Sequence, residues 1–275
     1  MSAERHLTVD RSQPGVWRIT FDNPPINMLA PEGIIALQRV VTEIEADPQA
    51  KVMIFQSADP DFFIAHFDTA RAADLPRTAG PSGHSPWIDV VVRMARSPVV
   101  SIAKIRGRTR GVGSEFVLAC DMRFASRQSA ILGNPEVGVG LPPGGGALEW
   151  LPRLAGRSRA LEIVLSGDDF DADLAERYGW INRALDDDAL DEFVDALAGR
   201  LATFDRQTLG DLKAQVNRVG VPTGDELESS NRMFFDALRH PDTQARRARL
   251  GRFDYGRRSD FELNFGRYLR GLAPD

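Results

Sequence analysis

The stretch Gly107-Arg-Thr-Arg-Gly111-Val112-Gly113-Ser114-Glu115-Phe-Val-Leu-Ala-Cys120 decides how the rest of the chain is read. Glycines at 107, 111 and 113 loosen the backbone directly ahead of an apolar run, so a loop is expected to feed a helix over residues 116–120. A helix N-terminus presents unpaired N–H groups and the positive end of the peptide dipoles. Such an end favours an anion, or an oxyanion that develops during a reaction. The spacing fits neither the phosphate-cradling loop Gly-x-x-x-x-Gly-Lys-[Ser/Thr] nor the dinucleotide pattern Gly-x-Gly-x-x-Gly. Glu115 taken alone equally suits a first-turn carboxylate that steadies the helix dipole. Ser114 has no nucleophile-elbow pattern around it and no marked histidine or acid partner, so a serine nucleophile is rejected.

Working outward, a second carboxylate, Glu136, lies in Leu132-Gly-Asn-Pro-Glu136, just ahead of the glycine-dense Gly138-Val-Gly-Leu-Pro-Pro-Gly-Gly-Gly146. It equally suits an exposed turn. Paired carboxylates at a buried site repel each other and move apart in pKa, which lets one act as acid and the other as base. Upstream, Asp59-Pro-Asp-Phe-Phe-Ile-Ala-His-Phe-Asp68 follows an apolar run. Its small Ala65 and the amides around it suit a wall along a ligand, while His66 equally suits a surface or packing position.

The bulk numbers narrow the class. A chain of 275 residues fits one large domain, or a domain with a smaller appendage. Hydrophobic residues at 43% and charged residues at 27% are ordinary for a soluble globular protein. A net charge of −5 argues against nucleic-acid binding, which usually needs a basic excess. No apolar run reaches the roughly 18–20 residues that span a bilayer, and the polar start at Met1 does not resemble a secretory signal. Cys120 is the single cysteine and reads as a small buried hydrophobe. The four histidines show no metal-ligand spacing. A cytoplasmic, metal-free protein is expected.

Along the chain, residues 15–22 alternate apolar and polar, as a half-buried strand does. Residues 31–46 carry a helical stripe at 34, 37, 41 and 44, ended by Asp47-Pro48. Strands are expected at 52–55, 99–105 and 122–125, with a helix near 88–95. Residues 57–86 read as a long loop or an ill-defined helix, and loops of that length are usually functional or mobile. Alternating strands and helices indicate an α/β core with mostly parallel strands. Beyond about residue 144, amphipathic segments near 145–154, 157–165, 172–178, 188–203, 206–218, 225–239 and 258–270 predict a helical second half with one short strand near 181–184. No internal repeat or low-complexity tract is visible. The tail holds eight arginines between 246 and 270, interleaved with Phe253, Tyr255, Phe261, Phe265 and Tyr268. They suit either an anion such as a nucleotide phosphate or subunit contacts.

Taken together and in order, these motifs resemble the crotonase superfamily, the enoyl-CoA hydratase/isomerase group. The likeness runs from about Val16 to Asn182. It passes through Asn23-Pro-Pro-Ile-Asn27, Phe63-Ile-Ala-His-Phe-Asp68, Ile102-Ala-Lys-Ile-Arg-Gly107, Gly111-Val-Gly-Ser-Glu115 with Cys120-Asp121, Pro135-Glu136 to Gly146, Leu151-Pro-Arg-Leu-Ala-Gly156 and Ala175-Glu-Arg-Tyr-Gly-Trp-Ile-Asn182. The resemblance implies a spiral of repeated ββα units over residues 1–200 and a helical C-terminal trimerisation region over 201–275. It implies an acyl-CoA thioester as substrate, with coenzyme A part of that substrate and no cofactor or metal, and assembly into homotrimers or hexamers. Residue by residue, it puts the catalytic pair on Glu115 and Glu136 and the oxyanion-holding amides on Phe67 and Val112. Substrate contacts fall on Ala65, His66, Asp68, Gly111 and Gly113. His66 and Val112 stand where the family commonly has glycine, so the Val112 amide must be presented with ordinary backbone angles, or Gly111 or Gly113 must take the unusual ones. The implied activity is enoyl-CoA hydration. A double-bond isomerase, thioester hydrolase or C–C lyase is the alternative, followed by a non-catalytic acyl-CoA-binding protein.

Overall fold

A computed structural model describes residues 6–272 of the chain. Ten strands are present among these residues: β1 Leu7–Asp10, β2 Val16–Phe21, β3 Val52–Ser57, β4 Phe62–Ile64, β5 Val100–Ile105, β6 Arg108–Arg110, β7 Met122–Ser126, β8 Ile131–Gly133, β9 Asp169–Asp171 and β10 Arg183–Leu185. The helices are α1 Pro31–Ala46, α2 Pro86–Arg96, α3 Val112–Ala119, α4 Ala147–Leu154, α5 Arg157–Ser166, α6 Ala172–Tyr178, α7 Asp187–Ala202, α8 Arg206–Gly220, α9 Gly224–Ala237, α10 Pro241–Arg249, α11 Asp260–Leu263 and α12 Phe265–Tyr268.

Six strands form a large sheet in the order β1-β2-β3-β5-β7-β10, and four form a small one in the order β4-β6-β8-β9. Pairing in the large sheet is parallel from β2 onward, with Val16 opposite Val52, Val52 opposite Val100 and Ile102 opposite Met122. Only the edge strand β1 runs antiparallel there. Three successive strands of the large sheet, β3, β5 and β7, are each followed by a short strand of the small sheet, β4, β6 and β8. A helix or helical turn then returns the chain. This is the ββα spiral that the motifs imply, repeated in structure with no repeat in sequence.

Both faces of the large sheet are covered, which explains the continuous apolar run Val52–Phe55 of β3. Trp17, Ile19, Phe21, Met53 and Phe55 face a core shared with α1, α2 and α3. The alternate positions Val16, Val52 and Ile54 pack against Leu190, Val194 and Ala198 of α7. Phe116 of α3 meets Phe21 and Phe55 edge-on, with ring centroids 5.3 and 4.8 Å apart. Helix α1 opens on Pro31 at its first position and buries Ile34, Leu37, Val41 and Ile44, the expected stripe. The boundary expected after residue 200 falls inside α7, whose Leu190, Val194 and Ala198 pack on the large sheet.

The expectation for residues 57–86 is corrected by strand β4 and a 3-10 turn, Thr69–Asp74. Strands β4, β6, β8 and β9 have three residues each, too few to carry a period. β6 even buries a charge: Arg110 is 1% exposed, with Nε and Nη2 on the Asp169 carboxylate at 2.6 and 2.7 Å. Helix α10 was likewise unexpected, and the expected helix over 258–270 is broken into α11, α12 and a final 3-10 turn.

Candidate active site

The chemistry gathers where β4, the start of α3 and the loops after β8 meet. Asn27 sets one edge. Its side-chain N–H donates to Ser57 Oγ (2.7 Å) and Phe62 O (3.1 Å), fixing the chain that leads from β4 to Phe67. Leu29 then bridges this segment: its N–H donates to His66 O, and its carbonyl accepts from Asp68 N–H, both at 2.9 Å. The Phe67 amide between them is skipped, and it meets no acceptor among the described residues.

The second amide lies at the start of α3. Gly111 takes φ 51° and ψ −121°, a region that β-carbon-bearing residues avoid, and its own N–H donates to Gly133 O at 2.9 Å. Because Gly111 carries the unusual turn, Val112 keeps a negative φ; Asn27 is the one non-glycine with positive φ among the described residues. Val112 thereby offers a first-position helix N–H, which has no partner within the helix. The replacement of glycine by valine is thus accommodated by its neighbour.

Glu115, on the first turn of that helix, is 3% exposed and turns into the same space. Its Oε1 accepts from Gly145 N–H at 2.6 Å and Ala147 N–H at 3.3 Å. Burial pushes its carboxyl up to about 7, and those amides only partly oppose the rise. Glu136 sits in the 3-10 turn Pro135–Val139, 9% exposed. Burial, and then the neighbouring Glu115 charge, push it up to about 8. Asn134 makes a long contact to its Oε1 (3.5 Å) while accepting the Ser114 hydroxyl at 3.0 Å. The Glu136 Oε2 is buried with no partner among the described residues. Buried polar atoms are normally satisfied, so this oxygen marks a place for an exchangeable ligand or water.

A cavity of about 800 Å³ of empty space, its mouth included, is lined by Phe67, Val112, Glu115 and Glu136 together, and by His66 and Gly111. Its remaining wall is mainly apolar, built by Trp87, Leu141, Phe234 and, from the C-terminal segment, Leu250, Tyr255 and Phe265. Three expected contact residues lie outside it. Ala65 packs with Ile26 and Phe62. The Asp68 carboxylate is occupied capping the 3-10 turn through Ala70 N–H. Gly113 lies so close to Ile64 that its missing side chain serves helix packing.

Sequence reading missed Trp87, whose indole N–H donates to Gly145 O (3.1 Å), and Asn231, whose amide donates to Gly144 O (2.9 Å). Together they fix the glycine-rich loop that holds Glu115. It also missed that the tail folds onto this chain's own site. Of the tail arginines, Arg247 lines the cavity and donates to Thr69 Oγ1 at 3.0 Å, whereas Arg258 pairs with Asp59 and Asp61 on the surface. The Arg270 side chain lies outside what is described. Cys120 is buried and its thiol is pushed up by burial, consistent with a packing role. No group of side chains suited to a metal ion occurs among the described residues, and no helix there is long and apolar enough to cross a membrane.

Comparison with known proteins places this geometry. Residues 11–262 match the family model for enoyl-CoA hydratase/isomerase. A crotonyl-CoA hydratase of Syntrophomonas wolfei is 28% identical over 80% of this chain and 83% of its own length. The fatty acid oxidation complex subunit alpha of Shewanella frigidimarina is 32% identical over 66% of this chain, which spans only 26% of that longer protein. In structure, a Streptomyces avermitilis protein provisionally named an enoyl-CoA hydratase superposes with a TM-score of 0.93 at 43% identity, covering 100% of this chain and 99% of that one. An enoyl-CoA hydratase from Mycobacterium avium, at 23% identity and a TM-score of 0.79, covers 89% of this chain and 98% of its own and shares the fold. The chain therefore belongs to the enoyl-CoA hydratase/isomerase family and has the crotonase fold.

Proposed function

We propose that this protein adds water across the double bond of a 2-enoyl-CoA. The supporting observation is that Glu115 and Glu136, both buried and both with raised carboxyl pKa, line one apolar cavity with two free main-chain amides. In this reading Phe67 and Val112 N–H hold the thioester oxygen as enolate charge builds on it; one such donor is worth about 3–4 kcal/mol in comparable acyl chemistry. A water lies between the two carboxyl groups. The ionised one takes its proton as the oxygen bonds to Cβ, and the protonated one delivers a proton to Cα as the enolate collapses. The net change is one H–OH added across one C=C bond, with coenzyme A carried as part of the substrate and no cofactor required.

An isomerase of this type needs a single base, so the presence of both carboxylates favours hydration. The direct test is the fall in enoyl-thioester absorbance when purified protein meets short- and medium-chain 2-enoyl-CoA esters. Turnover is expected; micromolar acyl-CoA binding without hydration would overturn the reading, and conversion of 3-enoyl-CoA alone would move it to isomerisation. A homotrimer or a pair of trimers goes with the proposal, supported by the exposed apolar stripe Leu212, Val216 and Val219 on α8. Light scattering on the purified protein measures it.

A further inference from the structure

Each proposed oxyanion donor is preceded, within two residues, by a side chain that ends on the same residue of the C-terminal segment. His66, directly before Phe67, is 8% exposed, and its Nε2 lies 3.1 Å from both carboxylate oxygens of Glu262. Its other ring nitrogen meets Tyr255 Oη at 3.2 Å, and the two rings stack with centroids 4.7 Å apart. With both nitrogens engaged, the imidazole has no free atom to offer a substrate. On the other side, Arg110, two residues before Val112, donates from Nη1 to the Glu262 main-chain oxygen at 2.6 Å and from Nη2 to Leu263 O at 3.2 Å. Its remaining donors grip Asp169 of β9. Glu262 itself is fully buried, and its Oε1 also accepts from Gly256 N–H at 2.7 Å. Burial alone would raise its carboxyl, but the His66 ring, the Gly256 amide and Arg110 together hold it below the usual carboxylate range.

We propose that Glu262 is a positioning residue that sets the spacing of the Phe67 and Val112 amides, through His66 in the loop after β4 and Arg110 at the end of β6. The two amides come from different turns of the spiral, and their neighbours are joined across the gap by one residue of the tail. A bulky, doubly anchored His66 then has a function at a position where glycine would leave the Phe67 segment held by its main-chain bonds to Leu29 alone. The inference rests on the reading of Phe67 and Val112 as the thioester-holding pair. Oxyanion donors must be fixed before charge develops, and misplacement by about 1 Å can cost on the order of 100-fold in rate.

The experiment compares wild type with Glu262→Gln and His66→Gly in three measurements: hydration kinetics on crotonyl-CoA, butyryl-CoA binding, and the near-ultraviolet enolate band of bound acetoacetyl-CoA. Glu262→Gln is expected to lower kcat by about 10- to 100-fold and weaken the enolate band, while butyryl-CoA affinity stays within about threefold. The double variant is expected to lose little more than the worse single one, since both act through one link. Wild-type kcat and enolate band in Glu262→Gln would overturn the proposal, as would a loss confined to butyryl-CoA binding, which marks the tail as a mere wall. Should Glu262→Gln fail to fold, His66→Gly decides alone, because Arg110 still holds the tail in that variant. Unchanged kcat there refutes the link. A wild type that neither hydrates crotonyl-CoA nor shows the enolate band removes the oxyanion reading itself, and this proposal with it.

Discussion

Gly145 and Glu115 are shaped around each other: the Gly145 amide donates to Glu115 Oε1 at 2.6 Å, and a β-carbon on Gly145 would collide with Oε2 of the same carboxylate. The close approach leaves no room for any other residue at 145, because Trp87 Nε1 closes the remaining side. Gly145→Ala is therefore expected to push the Glu115 carboxylate from its place. Stability should fall by about 1–3 kcal/mol, as for overpacked core sites, and kcat by about 100-fold or more. Thermal unfolding and steady-state hydration check the two effects separately.

Glu115→Gln and Glu136→Gln keep side-chain volume while removing the proton acceptor. Each is expected to lower kcat by about 100- to 10,000-fold with butyryl-CoA affinity little changed. Equal turnover in either variant would take that residue out of the mechanism.

Proton balance at the pair sets a pH profile. With the carboxyls at about 7 and about 8, one proton is shared between them near neutrality. A rate that needs one acid and one base should rise as the first proton leaves and fall as the second leaves, giving a bell in kcat/KM with its top between about pH 7 and 8. A profile flat across that range would count against the shared proton.

The same shifts carry a stability prediction. Both folded-state values lie above the ordinary 4.5, so the fold favours the neutral forms. Their contribution is complete below about pH 4.5 and is lost as pH rises through the folded values, levelling off by about pH 9. Glu136→Gln removes a charge that burial disfavours. Its Tm should therefore gain on wild type between about pH 5 and pH 9, measured by calorimetry at matched ionic strength. A gap that stays constant with pH contradicts the buried-charge account.

Gly111 and Val112 divide one task between them. Gly111→Ala forces a β-carbon into positive φ and 3.1 Å from Glu136 Oε1, so about 1–3 kcal/mol of stability and most of the activity should be lost. Val112→Gly leaves the amide in place and should keep kcat within about tenfold while lowering stability by about 1–2 kcal/mol. Reversed effects on kcat would put the essential backbone turn at 112 rather than 111.

Local pattern was enough for the longer helices and for the central strands of the large sheet. The stripe at Ile34, Leu37, Val41 and Ile44 gave α1 to the residue, and the alternation at β2 with the apolar run at β3 marked strands of the parallel core. The glycines around Val112 and Glu115, and those after Glu136, already marked where the backbone packs closely, against Ile64 at Gly113 and against Glu115 at Gly145. The small sheet left no such trace, because strands of three residues show no alternation and Arg110 reads as surface until Asp169 is found beside it.

What the sequence by itself determined was the spiral's main elements, the ordered motifs and the two carboxylates. What only the tertiary structure decided was their company: Trp87 and Asn231 bracing the loop behind Glu115, and a C-terminal segment closing this chain's own cavity. His66 and Glu262 lie 196 positions apart and touch. Hydrophobic period and glycine placement act over a few residues and are written locally. A buried imidazole, a paired carboxylate or a free amide acquires its chemistry from what the rest of the chain packs against it, and that packing has no local signature.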